Sequence, residues 1–227
     1  DASVNMNGTV TVTADSAITA NGGTNCVLNL VGQVVRVAGN ISLGATSRVV
    51  AFRNPASPFD GNITVNSGTL RFSPTGSPAQ SGPPATVIYN GGTLQFLSDV
   101  STTFTTKLAP VSSVTVNVDR QGGSNMGNTI TLGGLTLNNQ RITANGGNGY
   151  NLAFTGTTTL TGPGQAQFQP NTAQIFLNGV VTGPGGFEKF GAATMTIGGS
   201  QSNNFTGGVL VNSLLLLNKT VGATEIS

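Results

Sequence analysis

NITVNSGTLRF at residues 62–72 and TVIYNGGTLQF at residues 86–96 are two copies of one unit. The first begins with apolar residues alternating with polar ones and the second with Val87-Ile88-Tyr89; both then pass through an Asn/Ser/Gly corner and resume with Gly-Thr-Leu, a polar residue and Phe. Period-two alternation is the mark of a strand with one buried side. Asn and Gly between two such runs mark a change of direction. The shared alternation after Gly68 and Gly92 predicts Leu70, Phe72, Leu94 and Phe96 inside, with Thr69, Arg71, Thr93 and Gln95 outside.

Outward from this pair the same grammar recurs. Alternation runs through GTVTVTAD (8–15), SSVTVNVD (112–119) and NTITLGG (128–134), and each run ends at Gly, Asn or Asp. Thr161-Gly162-Pro163-Gly164 and Thr182-Gly183-Pro184-Gly185 repeat a loop after an apolar strand. FTGGVLVNSLLLLN (205–218) reads as a further copy of FDGNITVNSGTLRF (59–72), with Phe205 at the place of Phe59. No window carries a clean helical period. Repeats of roughly twenty residues, each too small to bury its own apolar side, imply stacked turns. The expected fold is all-β: a right-handed parallel β-helix (β-solenoid) of about ten turns, the hand following from the crossover rule. Residues 1–227 are read as a single β-solenoid domain, a segment or subunit of a larger rod or fibre. The rival is a β-sandwich. It would read Asn7-Gly8, Asn21-Gly22 and Asn90-Gly91 as hairpin turns and pair residues 60–72 antiparallel to 84–98. Phe72, Phe96, Phe154, Phe168, Phe176 and Phe205 are candidates for an internal aromatic stack, and Asn residues at equivalent turn positions for ladders along the axis.

The residues of 183–218, GPGGFEKFGAATMTIGGSQSNNFTGGVLVNSLLLLN, carry a further signal. Gly185-Gly186, Lys189, Gly191, Gly198, Asn204-Phe205-Thr206-Gly207-Gly208 and Val211-Asn212 stand in the order and spacing of a known pattern. This stretch resembles the autotransporter-associated β-strand repeat, also called the passenger-associated transport repeat. Ala193 and Leu214 depart from the pattern's glycines, and residues 59–72 match its second half. The resemblance implies a bacterial surface or extracellular protein built as a right-handed parallel β-helix, in which the repeat is structural. An activity does not transfer with it.

Composition limits the chemistry. Charged residues make up 7% of the 227, with nine basic and seven acidic residues, no His, and one Cys, Cys26. One Cys permits no internal disulfide, and without His it reads as a small buried hydrophobe. The arginines are scattered, which argues against nucleic acid as a partner. No apolar run is long enough for a membrane-spanning helix. The start at Asp1 reads as a mature or excised segment. The acids are Asp1, Asp15, Asp60, Asp99, Asp119, Glu188 and Glu225. Asp99 and Asp119, about one turn apart, are the best pair for polysaccharide cleavage. If in phase, they would lie about 4.8 Å apart up the stack, and read otherwise they are turn residues. Asp60-Gly61 is a lone turn dipeptide without the oxygen ligands calcium needs. No catalytic, cofactor or metal site is therefore expected.

The expected function is mechanical: a non-enzymatic structural or adhesive rod, the alternative being a β-helix that binds or degrades carbohydrate. The expected partners are other copies of the chain or adjoining repeats of a longer one, with cell-surface glycans as a further class. The candidate self-association surface is Val10, Val12, Leu214, Leu215 and Leu217. Aligning the last repeat with residues 65–72 puts Leu216 inward and Leu215 and Leu217 outward, where a further turn or another copy would cover them. A register shift burying all four leucines is the alternative.

Overall fold

Every alternating segment becomes a strand, and every strand pair is parallel. The computed structural model describes residues 3–20, 26–44, 48–76, 80–220, 222–224 and 226. Within them lie 28 strands and no helix. Each turn of the coil contributes in sequence to three sides. A wide face stacks ten strands, from Ser3–Met6 to Val209–Val211. A second face stacks seven, from Gln80–Ser81 to Leu215–Lys219. A third stacks nine, from Ser16–Ile18 to Asn204–Phe205. Near the N-terminus the second side is a separate pair, Val10–Val12 on Val34–Arg36. Nine steps separate the first and last of the ten wide-face strands. A turn is as short as Val49 to Thr69 and as long as Val114 to Ile142.

The sandwich is excluded by the pairing of the deciding repeat. Thr86 faces Asn62 and Thr93 faces Thr69, both in parallel register. Asn7-Gly8 and Asn90-Gly91 are corners between successive faces rather than hairpin turns. Asn21-Gly22 lies outside the described residues. The corner glycine of the repeat is required at two levels. Gly68 and Gly92 have φ of 75° and 91°, the left-handed region, and a Cβ on Gly92 would stand 2.3 Å from the Gly68 carbonyl oxygen.

Inside, the alternation reads as expected. Leu70, Phe72, Leu94 and Phe96 are buried, while Thr69, Arg71, Thr93 and Gln95 take the outward places. Phe72 and Phe96 stack with ring centroids 5.0 Å apart and planes 14° from parallel. Phe52 continues the stack below at 5.4 Å, and Phe104 closes it from the second face, 5.2 Å from Phe96. A second cluster links Phe168, Phe187 and Phe205. Phe154 is buried. Phe176 does not belong to a stack. In the strand Ile175–Leu177 the two aliphatic residues take the inward places and Phe176 the outward one. Phe52, Phe104 and Phe187 take part without having been singled out by the repeat.

Outside, amides form ladders, at a corner as expected between Asn90 and Asn66, and also within strands, where turn positions have no part in the pairing. Asn29 donates to Asn5 at 2.9 Å, Asn90 to Asn66 at 3.3 Å, Asn145 to Asn117 at 3.2 Å and Asn171 to Asn145 at 3.1 Å.

The C-terminal repeat sits differently from its sequence alignment. Val65-Asn66-Ser67 turns the corner from the third face to the wide face, whereas Val211-Asn212-Ser213 turns from the wide face to the second. The likeness is one of corners, since a corner of the same shape draws the same small polar residues on any side of the coil. Leu215 and Leu217 therefore stand over Met195 and Ile197, both fully buried, and share their inward phase. Leu216 stands over Thr196 and faces outward, the reverse of the expected phase.

Candidate functional site

Most of the exposed large apolar residues lie at the two ends of the coil, while Val37, Val111 and Met126 are exposed in the connections between strands. On the wide face Val4 and Met6 stand over Leu28 and Leu30 in the inward phase, yet Val4 is 60% exposed and Met6 42%. At the other end Val209 and Val211 stand over Phe187 and Lys189, again inward, and Val211 is 47% exposed. Leu217 is 45% exposed and Leu214, at the last corner, 58%. Leu215 packs against the core while remaining partly open. Among the described residues, no strand pairs with the outer edges of Ser3–Met6, Val209–Val211 or Leu215–Lys219. Of the five residues named from sequence, Leu214 and Leu217 are exposed and Val10 and Leu215 partly so. Val12 is buried within its own turn. Leu210 and Val211 belong to the same open end and were missed, because Val211 had been aligned with a buried residue of another face.

One charged side chain is built into the interior beneath that end. Lys189 is fully buried at the inward end of the strand Gly186–Lys189. Its ammonium donates to the carbonyls of Phe190 (3.4 Å) and Gly191 (3.2 Å) and to the Ser213 hydroxyl. Ser213 in turn donates to the Gly191 carbonyl at 2.8 Å. Burial pushes the lysine pKa down. The three protons meet three acceptors, so the group ties the corner at 190–191 to the corner of the next turn.

Asp99 and Asp119 are not in phase. Asp119 faces Leu97, two residues before Asp99. Asp99 is a turn clamp: its Oδ1 accepts from the backbone amides of Gln121 (3.0 Å), Gly122 (3.0 Å) and Gly123 (2.8 Å). The Gly122 amide above all, then that of Gly123, holds its pKa below the usual carboxylate range, with Gln121 and the Arg120 charge adding to them. Asp119 accepts from the Arg120 amide and from Asn148. Asp15 accepts from Asn40, Asp60 pairs with Arg36 at 3.4 Å, and Glu188 accepts from Gln167 and Asn212. Asp1 and Glu225 lie outside the described residues. Among those described, no three of His, Cys, Asp and Glu stand together as metal ligands would.

The third face carries an open groove of about 460 Å³, with Thr86, Lys107, Gly133, Gly134, Thr136 and Thr159 among its lining residues. Its residues have the chemistry of a solvated strand surface, with one cation and no acid. Compared with family models, with curated proteins and with solved structures, the chain finds no match in any of the three.

Proposed function

We propose that the protein is a non-enzymatic structural or adhesive rod of the extracellular space or bacterial surface, and that its open end turns are covered by another copy of the chain or by adjoining repeats of a longer one. The observation that carries the reading is the pair of bare ends. Val4 and Met6 at one end and Val209 and Val211 at the other occupy inward positions of the same face, with no neighbour beyond them among the described residues. Placing the first turn of one copy on the last turn of another continues the wide face in parallel. It pairs two strand edges that otherwise remain open and buries apolar side chains from both. Completing the burial of each half-exposed Val or Leu contributes about 1 kcal/mol, and the unpaired backbone groups gain partners. Because the two joining surfaces differ, the contact is head-to-tail and propagates.

The chemistry of the acids supports the non-enzymatic part. Asp99 and Asp119 are out of phase, and each carboxylate holds a turn or a ladder. The resemblance of residues 183–218 to the autotransporter-associated repeat supports the location. Electron micrographs of the purified protein test the reading with another copy as the cover. Unbranched fibres one solenoid wide are expected, and Val211→Lys is expected to disperse them. Single short particles at every concentration would overturn it.

A further inference from the structure

We propose that Arg53 and Arg71 form a receptor for an anionic group, a carboxylate or a sulfate ester, carried by an acidic polysaccharide lying along the outer surface of the wide face. Arg71 stands on the outward side of the strand Thr69–Phe72, between Ala51 and Gln95 in register. Its Nε donates to Gln95 Oε1 at 2.8 Å, which fixes the plane of the guanidinium. Its terminal nitrogens have no partner among the described residues. Arg53 follows Phe52 at the end of the neighbouring strand. The Phe52 carbonyl accepts from the Ser73 amide and the Arg53 carbonyl from the Thr75 amide, which sets Arg53 beside the end of the Arg71 strand.

Gln121 braces this arrangement from farther up the stack. In the amide orientation that satisfies both partners, it donates to the Pro74 carbonyl at 2.8 Å and accepts from Arg53 Nη2 at 3.0 Å. Ser73, two residues beyond Arg71 and joined through its amide to the Phe52 carbonyl, keeps a buried hydroxyl with no hydrogen-bond partner among the described residues. The two cations feel each other: burial first, then the Arg53 charge, lowers the Arg71 pKa. Neither meets a carboxylate among the described residues. Two guanidiniums held side by side repel, and an oxyanion between them relieves that repulsion while matching their planar donor forks.

The surroundings favour a carbohydrate as the carrier. The outward column that begins at Arg71 continues through Gln95, Asn117, Asn145 and Asn171, one amide per turn. Amides repeated at the strand spacing of about 4.8 Å offer both donors and acceptors to a chain of hydroxyls.

The test is titration of the full chain with polygalacturonate, dextran sulfate and neutral dextran at moderate salt. At least one acidic polymer is expected to bind and the neutral one not, and the two acidic arms tell carboxylate from sulfate. Arg53→Gln and Arg71→Gln are each expected to weaken binding about tenfold, the effect of losing a charge-assisted hydrogen bond. Arg71→Lys, which keeps the charge and loses the fork, is expected to weaken it as well. Arg48→Gln, at an exposed arginine just before the neighbouring strand, serves as the control and is expected to change little. Failure of both acidic polymers to bind, or equal weakening by Arg48→Gln, would overturn the proposal. Fibre formation involves neither arginine, so the rod reading stands or falls separately.

Discussion

Ile197 and Leu217 stand one over the other in register, carry side chains of nearly the same size and point the same way. Ile197 is 0% exposed and Leu217 45%. The same contrast separates Leu30 at 1% from Met6 at 42%, again partners in register. In this architecture an inward phase does not by itself bury a residue. At these two positions burial takes a turn on each side, as in a stack in which each repeat contacts only its neighbours, whereas Val12 is already closed within the first turn at 4% exposure. The middle of the rod is therefore a closed core, and its ends are the same core cut open.

The largest effect that sharpens this contrast comes from a paired truncation. Phe96→Ala, in the middle of the ring stack, is expected to cost about 3–5 kcal/mol in denaturant unfolding. Leu217→Ala is expected to cost about 1 kcal/mol or less in the monomer, since little of its surface is buried there. Equal losses would break the distinction between middle and end. Next in size is Lys189→Met. It removes the donor that ties two corners, leaving the partly buried Phe190 carbonyl unpaired and the Gly191 carbonyl with Ser213 alone, for an expected loss of about 1–3 kcal/mol. A neutral result would mean that water reaches these carbonyls and that the lysine holds nothing.

Smaller still is the effect of Leu217→Lys on the monomer, expected within about 0.5 kcal/mol because the site is half open. Its effect on assembly is expected to be complete, as seen by sedimentation. A destabilised monomer would show that the last turn is closed in solution. The smallest effect is one of pH. The Asp99 carboxyl has a folded pKa below its unfolded one, so its contribution is fully present above the unfolded value near pH 4 and is lost as pH falls through the folded one. Faster amide exchange at Gln121, Gly122 and Gly123 is expected at the acid end, relative to the same amides in Asp99→Asn. Identical profiles in the two proteins would remove the clamp from the account.

The sequence made the middle of the rod legible and the ends less so, for one reason. Gly-Thr-Leu-x-Phe marks both a corner and the strand that follows, and where it stands complete, at Gly68 and Gly92, phase and partner are both correct. At Val211-Asn212-Ser213 only the corner survives. A corner does not reveal which of three faces follows, so the phase of Leu215 to Leu217 came out reversed. Phe176 was misplaced because Ile175 and Leu177 flank it, and in an all-apolar strand the alternation is silent. Phe104 and Phe187 lie outside the repeated motif. The Asp99 clamp was invisible because its partners are backbone amides 22 to 24 residues away, which no side-chain pattern announces. The bracing of Arg53 by Gln121 is hidden in the same way, since it joins distant turns through the stack.

The most direct test of the central claim, that the cut ends of the core join one another, is a cross-link between two copies. In a Cys26→Ala background, one preparation carries Met6→Cys and the other Val211→Cys. Facing residues of adjacent parallel strands lie within the Cα separation of about 4.4–6.8 Å that a disulfide spans. Head-to-tail stacking on the wide face predicts a disulfide-linked pair on mixing and mild oxidation, formed between unlike preparations in preference to like ones. No cross-link under conditions that oxidise free thiols, or a preference for Met6→Cys with itself, would contradict it.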